Sequence, residues 1–269
     1  MPFQTINNVP LHYVETGDRA KPSLVFAGSV LFGAEGFDDL VPLLEKDFHI
    51  IRIDVHGHGR SGLRIPLSLE KMADDCYDLL VPLGLSKPVW VGHSIGGMLG
   101  MRIAYKHPEA FAALVLSDHR TTRTAAVARS NLAALASVSR WSTGHHRRSS
   151  VAVLFCPSHF PHAAGVGSAL SRLDHQLPDA ENVFQCVRAV FERTDITEFL
   201  PRIVVPTLAI AGREDPAAPP AESQIIAERI PNARFLVIEQ ANHLVPAEKP
   251  REVAEAIRSF LRGLSLRAG

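Results

Sequence analysis

The sequence predicts an α/β chain built on a doubly wound, mostly parallel sheet with a helical insertion. Three observations carry that expectation. Short apolar runs rich in Val and Ile recur along the chain, stretches at helical spacing separate most of them, and one long interval breaks the alternation. Strand, helix, strand in sequence implies right-handed crossovers and a parallel sheet covered on both sides.

The opening reads as a hairpin, with FQTI and LHYVE alternating around Asn7 and Asn8. SLVFAG, HIIRID, PVWVGH, AALVLSD, PTLAIAG and RFLVIE then recur as short apolar runs ending in Gly, Asp or another polar breaker. Runs of that kind read as strands buried on both faces. Between them, Met72, Cys76, Leu79 and Leu80 share a helical face, as do Ile95, Met98, Leu99 and Ile103. Val253, Ile257, Phe260, Leu261 and Leu264 form a third such face near the end. The interval after Asp118 is different: it is rich in Ala, Ser, Arg and His, with helix-like pieces such as AAVARSNLAALASV and a single strand-like run, VAVLF. The expected organisation is a core of residues 1–120 and 201–269 and a mostly helical cap over 121–200. Within that cap, SRWSTGHHRRSS reads as an exposed loop.

Composition narrows the function. Lys plus Arg and Asp plus Glu both number 28, so the net charge is zero and neither nucleic acid nor an anionic membrane is an expected partner. No apolar run approaches the roughly 18–20 residues of a membrane span. The start, MPFQTINNVPLHYVETG, lacks a charged region followed by an apolar one, and the three cysteines, Cys76, Cys156 and Cys186, have no disulfide-scaffold spacing. A cytoplasmic protein is the expectation.

Chemistry concentrates in PVWVGHSIGGMLG. Ser94 stands in a G-x-S-x-G arrangement, Gly92 to Gly96, where a buried strand gives way to an amphipathic helix. A sharp turn there forces the serine into a strained backbone conformation, and larger side chains at the flanking glycines would collide. A serine hydroxyl is a poor nucleophile unless a base takes its proton, so a histidine oriented by a carboxylate is needed. The order Ser, Asp, His is present: Asp215 follows PTLAIAG and His243 follows RFLVIE, both at carboxyl ends of strands. Glu214 and Asp118 are the competing acids.

With those residues in place the chain resembles the α/β-hydrolase family over nearly its full length. IDVHGHGRSG is similar to that family's loop after its fourth strand, and Val205 to Pro250 to its acid and histidine region. Within the family, INNVPLHY, DPAAPP and IPNARFLVIEQANHLVPAEKP are most like 3-oxoadipate enol-lactonases and related small esterases. The resemblance implies hydrolysis of a small ester or lactone through an acyl-enzyme, with no cofactor and no metal. It also implies an oxyanion hole made by the N–H of Ile95 and a second donor from AGSVLFGAEGF, a stretch that departs from the family's usual His-Gly. Aligning Phe37 with the family's usual tryptophan makes that donor Val30, with Ser29 as the competing register.

Other side chains carry weaker signals. His93 reads as a packing and orienting neighbour of Ser94, and Cys76 as a buried structural thiol. His56 and His58 read as parts of a structural turn rather than metal ligands, and His159 with His162 is a similarly weak pair. His145, His146, Arg147 and Arg148 read as a solvated loop, or as an arginine grip on a substrate carboxylate. The same Ser, His and Asp also suit a carbon–carbon bond hydrolase or a cofactor-free perhydrolase. A small-molecule receptor with the same body is the expectation from outside the enzymes.

Overall fold

The computed structural model describes residues 2–30, 32–119 and 180–266. Strands β1 (Phe3–Ile6) and β2 (Val9–Thr16) pair antiparallel as the expected hairpin. Asn7 and Asn8 carry the chain round at φ 48° and 67°, the left-handed region that a short amide side chain tolerates. Six further strands follow: β3 (Ser23–Ala27), β4 (His49–Ile53), β5 (Val89–His93), β6 (Ala113–Ser117), β7 (Thr207–Gly212) and β8 (Ala233–Ile238). They form one eight-stranded sheet in the order β1-β2-β4-β3-β5-β6-β7-β8. β2 runs antiparallel to β4, and every later pairing is parallel.

The described α-helices are α1 (Val41–Leu44), α2 (Leu69–Leu80), α3 (Ile95–Lys106), α4 (Ala180–Phe191), α5 (Pro220–Arg229), α6 (Val245–Glu248) and α7 (Pro250–Leu261). The sheet separates two apolar cores. On one side Val25, Ile51, Trp90 and Leu114 meet Met72, Cys76 and Leu79 of α2 and Leu99 and Ile103 of α3. On the other, Leu24, Phe26, Val91 and Val115 meet Leu40, Leu44 and the Val253, Ile257 and Phe260 face of α7. All residues of β3, β5, β6 and β7 are buried, which explains their unbroken apolar reading.

One strand departs from that reading. Among the described residues β8 is at the sheet edge and pairs with β7, and most of its residues are only partly buried or exposed. Apolarity of RFLVIE therefore reflects half-cover, not burial on both faces.

Of the expected cap, α4 and the short 3-10 turn Thr197–Arg202 are described, and both are helical. VAVLF, SRWSTGHHRRSS, Cys156, His159 and His162 lie outside the described residues. α4 docks on the HGHG segment: the Cys186 thiol donates to the His56 carbonyl at 3.3 Å, and a methyl on Gly57 would lie 3.2 Å from Asn182 Cβ. His56 is itself tied to Asp75 of α2 at 2.8 Å, so this turn joins α2 to α4. Among the described residues no helix is long and apolar enough to cross a membrane.

Trp90 at the centre of the sheet fixes where α3 lies. Its fully buried indole N–H donates to the Gly96 carbonyl at 2.9 Å, and a methyl on Gly100 would fall 2.4 Å from the indole ring. Gly100→Ala should therefore lower the unfolding free energy by roughly 1–3 kcal/mol through overpacking. A urea titration checks this, and an unchanged midpoint would contradict the close fit of α3 on Trp90.

Candidate active site

The site sits at the carboxyl ends of β5, β6, β7 and β8. Ser94 joins β5 to α3 with φ 52° and ψ −114°, a conformation that non-glycine residues rarely adopt. Its neighbours are small because the turn is tight: a methyl on Gly92 would lie 2.4 Å from Gly96 C, and one on Gly96 would lie 2.0 Å from the Ala27 carbonyl oxygen. Three backbone bonds then lock the turn. Ser94 N–H donates to Ser117 at 2.8 Å, Gly96 N–H to Gly28 at 3.0 Å, and Gly97 N–H to the Ser94 carbonyl at 3.1 Å. The Gly28 bond sets the first turn of α3 beside the loop that carries Ser29 and Val30, both buried. Ile95 is the first residue of α3, where N–H groups have no partner within the helix.

β7 and β8 deliver the other two groups. Glu214 N–H donates to the Ala241 carbonyl at 2.9 Å, and a methyl on Gly212 would lie 2.2 Å from the Asn242 carbonyl oxygen, so the two loops interlock. The outcome is a chain of side-chain contacts: His243 Nδ1 lies 2.8 Å from Asp215 Oδ2, and His243 Nε2 lies 3.2 Å from Ser94 Oγ. Asp215 Oδ1 accepts the N–H groups of Ala217 at 2.7 Å and Ala218 at 2.9 Å. Ser94, Asp215 and His243 are all nearly buried, at 8%, 3% and 4% exposure, so the contacts lie where water screens them little.

Both competing acids are in view. Glu214 points outward and is exposed. Asp118 is buried, and it accepts from Gly212 N–H at 2.9 Å and from the Ser117 hydroxyl at 2.6 Å. Burial, followed by the charge of Asp215, pushes the Asp118 carboxyl well above the usual carboxylate range. Burial would also raise Asp215, but the adjacent His243 and the Ala217 and Ala218 N–H groups outweigh it and hold that carboxyl below its ordinary value. Two carboxyl groups thus share one region with their pKa values displaced in opposite directions.

His93 lies with its ring centroid 5.4 Å from that of His243 and its Nδ1 3.5 Å from Asp118. Burial first, and then His243, pushes its pKa down to about 3, so it is a neutral ring in the wall of the site. His119, which the sequence reading passed over, is also fully buried there and pushed down to about 3, chiefly by burial. A sequence signal existed, since it directly follows β6 beside Asp118. Asn242 and Glu248 were missed as well; Glu248 accepts the backbone N–H groups of Asn242 and Leu244, both at 3.0 Å. His145, His146, Arg147 and Arg148 fall outside the described residues. Among the described residues no group of three or more His, Cys, Asp or Glu is arranged to hold a metal ion.

The raised carboxyl has a consequence for stability. Because its folded pKa lies above the unfolded value of about 3.9, the stability Asp118 contributes is fully present below that pH and is lost as pH rises through the folded value. Asp118→Asn keeps the shape and removes the titration. Melting temperatures of the variant should accordingly fall less between pH 4 and neutrality than those of the parent, and parallel profiles would contradict a raised Asp118 pKa.

Comparison with known proteins places this geometry in a family. A model described as the alpha/beta hydrolase family matches residues 24–256. The chain is 25% identical to 3-oxoadipate enol-lactonase 2 of Acinetobacter baylyi, over 96% of this chain and 95% of that protein. It is 26% identical to the pimeloyl-[acyl-carrier protein] methyl ester esterase of Neisseria meningitidis, over 85% of this chain and 73% of that one. Among solved structures, a thermophilic esterase from Thermogutta terrifontis superposes with a TM-score of 0.84 at 28% identity, covering 97% of this chain and 98% of the other. The enol-lactonase from Burkholderia xenovorans shares the fold, with a TM-score of 0.87 at 24% identity over 97% of this chain and all of that one. With a family model matched over most of its length and the same eight-stranded, mostly parallel architecture, this chain belongs to the alpha/beta hydrolase family.

Proposed function

We propose that this enzyme is a serine hydrolase that cleaves a small carboxylic ester or lactone through an acyl-enzyme. The observation that carries the reading is the continuous contact chain from Asp215 through both ring nitrogens of His243 to Ser94 Oγ, at 2.8 and 3.2 Å. Ser94 Oγ attacks the substrate carbonyl while His243 Nε2 takes its proton. The tetrahedral oxyanion is held by the N–H groups of Ile95 and Val30, with Ser29 as the alternative second donor. The Gly96 to Gly28 bond supports this pairing, because it sets the helix start beside that loop. The proton on His243 passes to the leaving alkoxide, which departs from an ester or stays tethered to the acyl chain of an opened lactone, and the acyl group is left on Ser94. Water, giving its proton to His243, then attacks the acyl carbonyl, and collapse of the second tetrahedral intermediate breaks the bond to Ser94 Oγ, which takes that proton back from His243 as the acid leaves. Throughout, Asp215 keeps the histidine's Nδ1 protonated and stabilises the imidazolium.

The reaction as written needs no metal or cofactor, and no nucleic acid or membrane partner. Relatives that match over most of this chain include an enol-lactonase and a methyl ester esterase, which support an ester, alongside proteins named putative carbamate hydrolases. Substrate selection would fall to the segment 121–200, most of which lies outside the described residues.

Turnover of short p-nitrophenyl esters and simple lactones tests the reading. Parent protein should hydrolyse at least one of them, and Ser94→Ala should reduce that to background; a parent no faster than Ser94→Ala would contradict it and leave a receptor-like body. A second comparison concerns the acid. Asp215→Asn should cost about 10⁴-fold in kcat, as for the orienting carboxylate of other triads, whereas Asp118→Asn should cost less than about tenfold. The reverse ranking would move the acid to β6.

A further inference from the structure

We infer that Glu248 is a positioning residue for His243, holding the peptide groups on both sides of the histidine with one carboxylate. The inference rests on the hydrolase reading, since it concerns how that reading's base is held. Oε2 accepts the backbone N–H of Asn242 at 3.0 Å and its side-chain amide at 3.1 Å, while Oε1 accepts the N–H of Leu244 at 3.0 Å. His243 is the residue between them.

Part of this arrangement is ordinary helix capping. Leu244 precedes the first residue of the four-residue α6, and an acidic side chain in the first turn commonly reaches back to such an N–H. Capping does not account for the other oxygen. It extends two residues further, outside the helix, to both donors of a fully buried Asn242. The loop needs such a clamp, because it leaves β8 through Gln240 at φ 53° and must present an imidazole at once to Asp215 and Ser94. A displacement of about 1 Å in such a group can cost on the order of 10²-fold in rate.

Glu248 also brings charge. Among the described residues, the titratable groups around His243 include Asp215 on the β7 loop, Asp118 and His119 after β6, His93 at the end of β5, and Glu248 itself on α6. For His93, burial and His243 press the pKa down while Asp215 and Glu248 pull it up, so the Glu248 charge is felt inside the site. It favours the imidazolium form of His243 in the same sense.

Glu248→Gln keeps the volume but replaces one acceptor oxygen with a donor and removes the charge. Glu248→Asp keeps the charge and withdraws it by one methylene, so it carries the same kcat test if the glutamine variant fails to fold. Both should lower kcat on the best ester roughly 10- to 100-fold with KM changed less than about threefold, and both should react more slowly with a fluorophosphonate. The acid limb of the pH profile should move to lower pH in Glu248→Gln, because losing a nearby negative charge lowers the pKa of the base, and move less in Glu248→Asp. If both variants keep kcat within about twofold of the parent and only melt earlier, Glu248 is a helix cap and the inference is overturned. A rise in KM alone would overturn it too. A parent that fails to label with the fluorophosphonate sinks the hydrolase reading instead, whereas a parent that labels no faster than Glu248→Gln sinks this inference alone.

Discussion

A serine held in a left-handed backbone conformation between a buried strand and a helix is the constraint on which the rest of the structure depends. Such a conformation costs on the order of 1–3 kcal/mol and persists only where its surroundings over-determine it. Here they do so from three directions. Gly92 and Gly96 leave room for one backbone to approach another, Trp90 fixes α3 through the Gly96 carbonyl, and Gly96 N–H closes the turn onto Gly28. The strain has a geometric yield: the hydroxyl stands clear of the sheet and the start of α3 lies beside the loop after β3.

That turn sets the positions every other group must meet. β7 and β8 are adjacent parallel strands, so their carboxyl ends emerge side by side and their loops interlock at Gly212 and Ala241. Asp215 and His243 are brought together by that crossing rather than by proximity in sequence. The electrostatics follow from it. The carboxyl beside His243 is held below its ordinary pKa by that ring and by the N–H donors around it, while burial, reinforced by the charge of Asp215, pushes the Asp118 carboxyl up. His93 and His119, buried and neutral, fill the wall without competing for the proton.

Much of this was legible from the sequence because the constraints are local. Glycine at two before and two after Ser94 is a steric requirement written into five consecutive residues, and the apolar runs before Ser94, Asp118, Asp215 and His243 announce strand ends. The choice among Glu214, Asp215 and Asp118 was open because side-chain direction on a loop is set by tertiary contacts. Geometry separates them: one is exposed, one touches His243, and one is spent on Ser117 and Gly212. Glu248 was invisible for the same reason, its partners being peptide N–H groups that no side-chain pattern reveals. HGHG read as a turn, yet its task is to join Asp75 on α2 to Cys186 on α4, residues far from it in sequence. β8 misled because an apolar run records how much surface is covered somewhere, not whether both faces are.

On the proposed function, the turn at Ser94 and its contact with His243 make this hydroxyl reactive. Mass spectrometry after brief exposure to a fluorophosphonate measures this directly. One adduct per chain is expected, located on the peptide containing Ser94 and absent from His243→Ala over the same interval. An adduct on another residue, or equal labelling without His243, would contradict it.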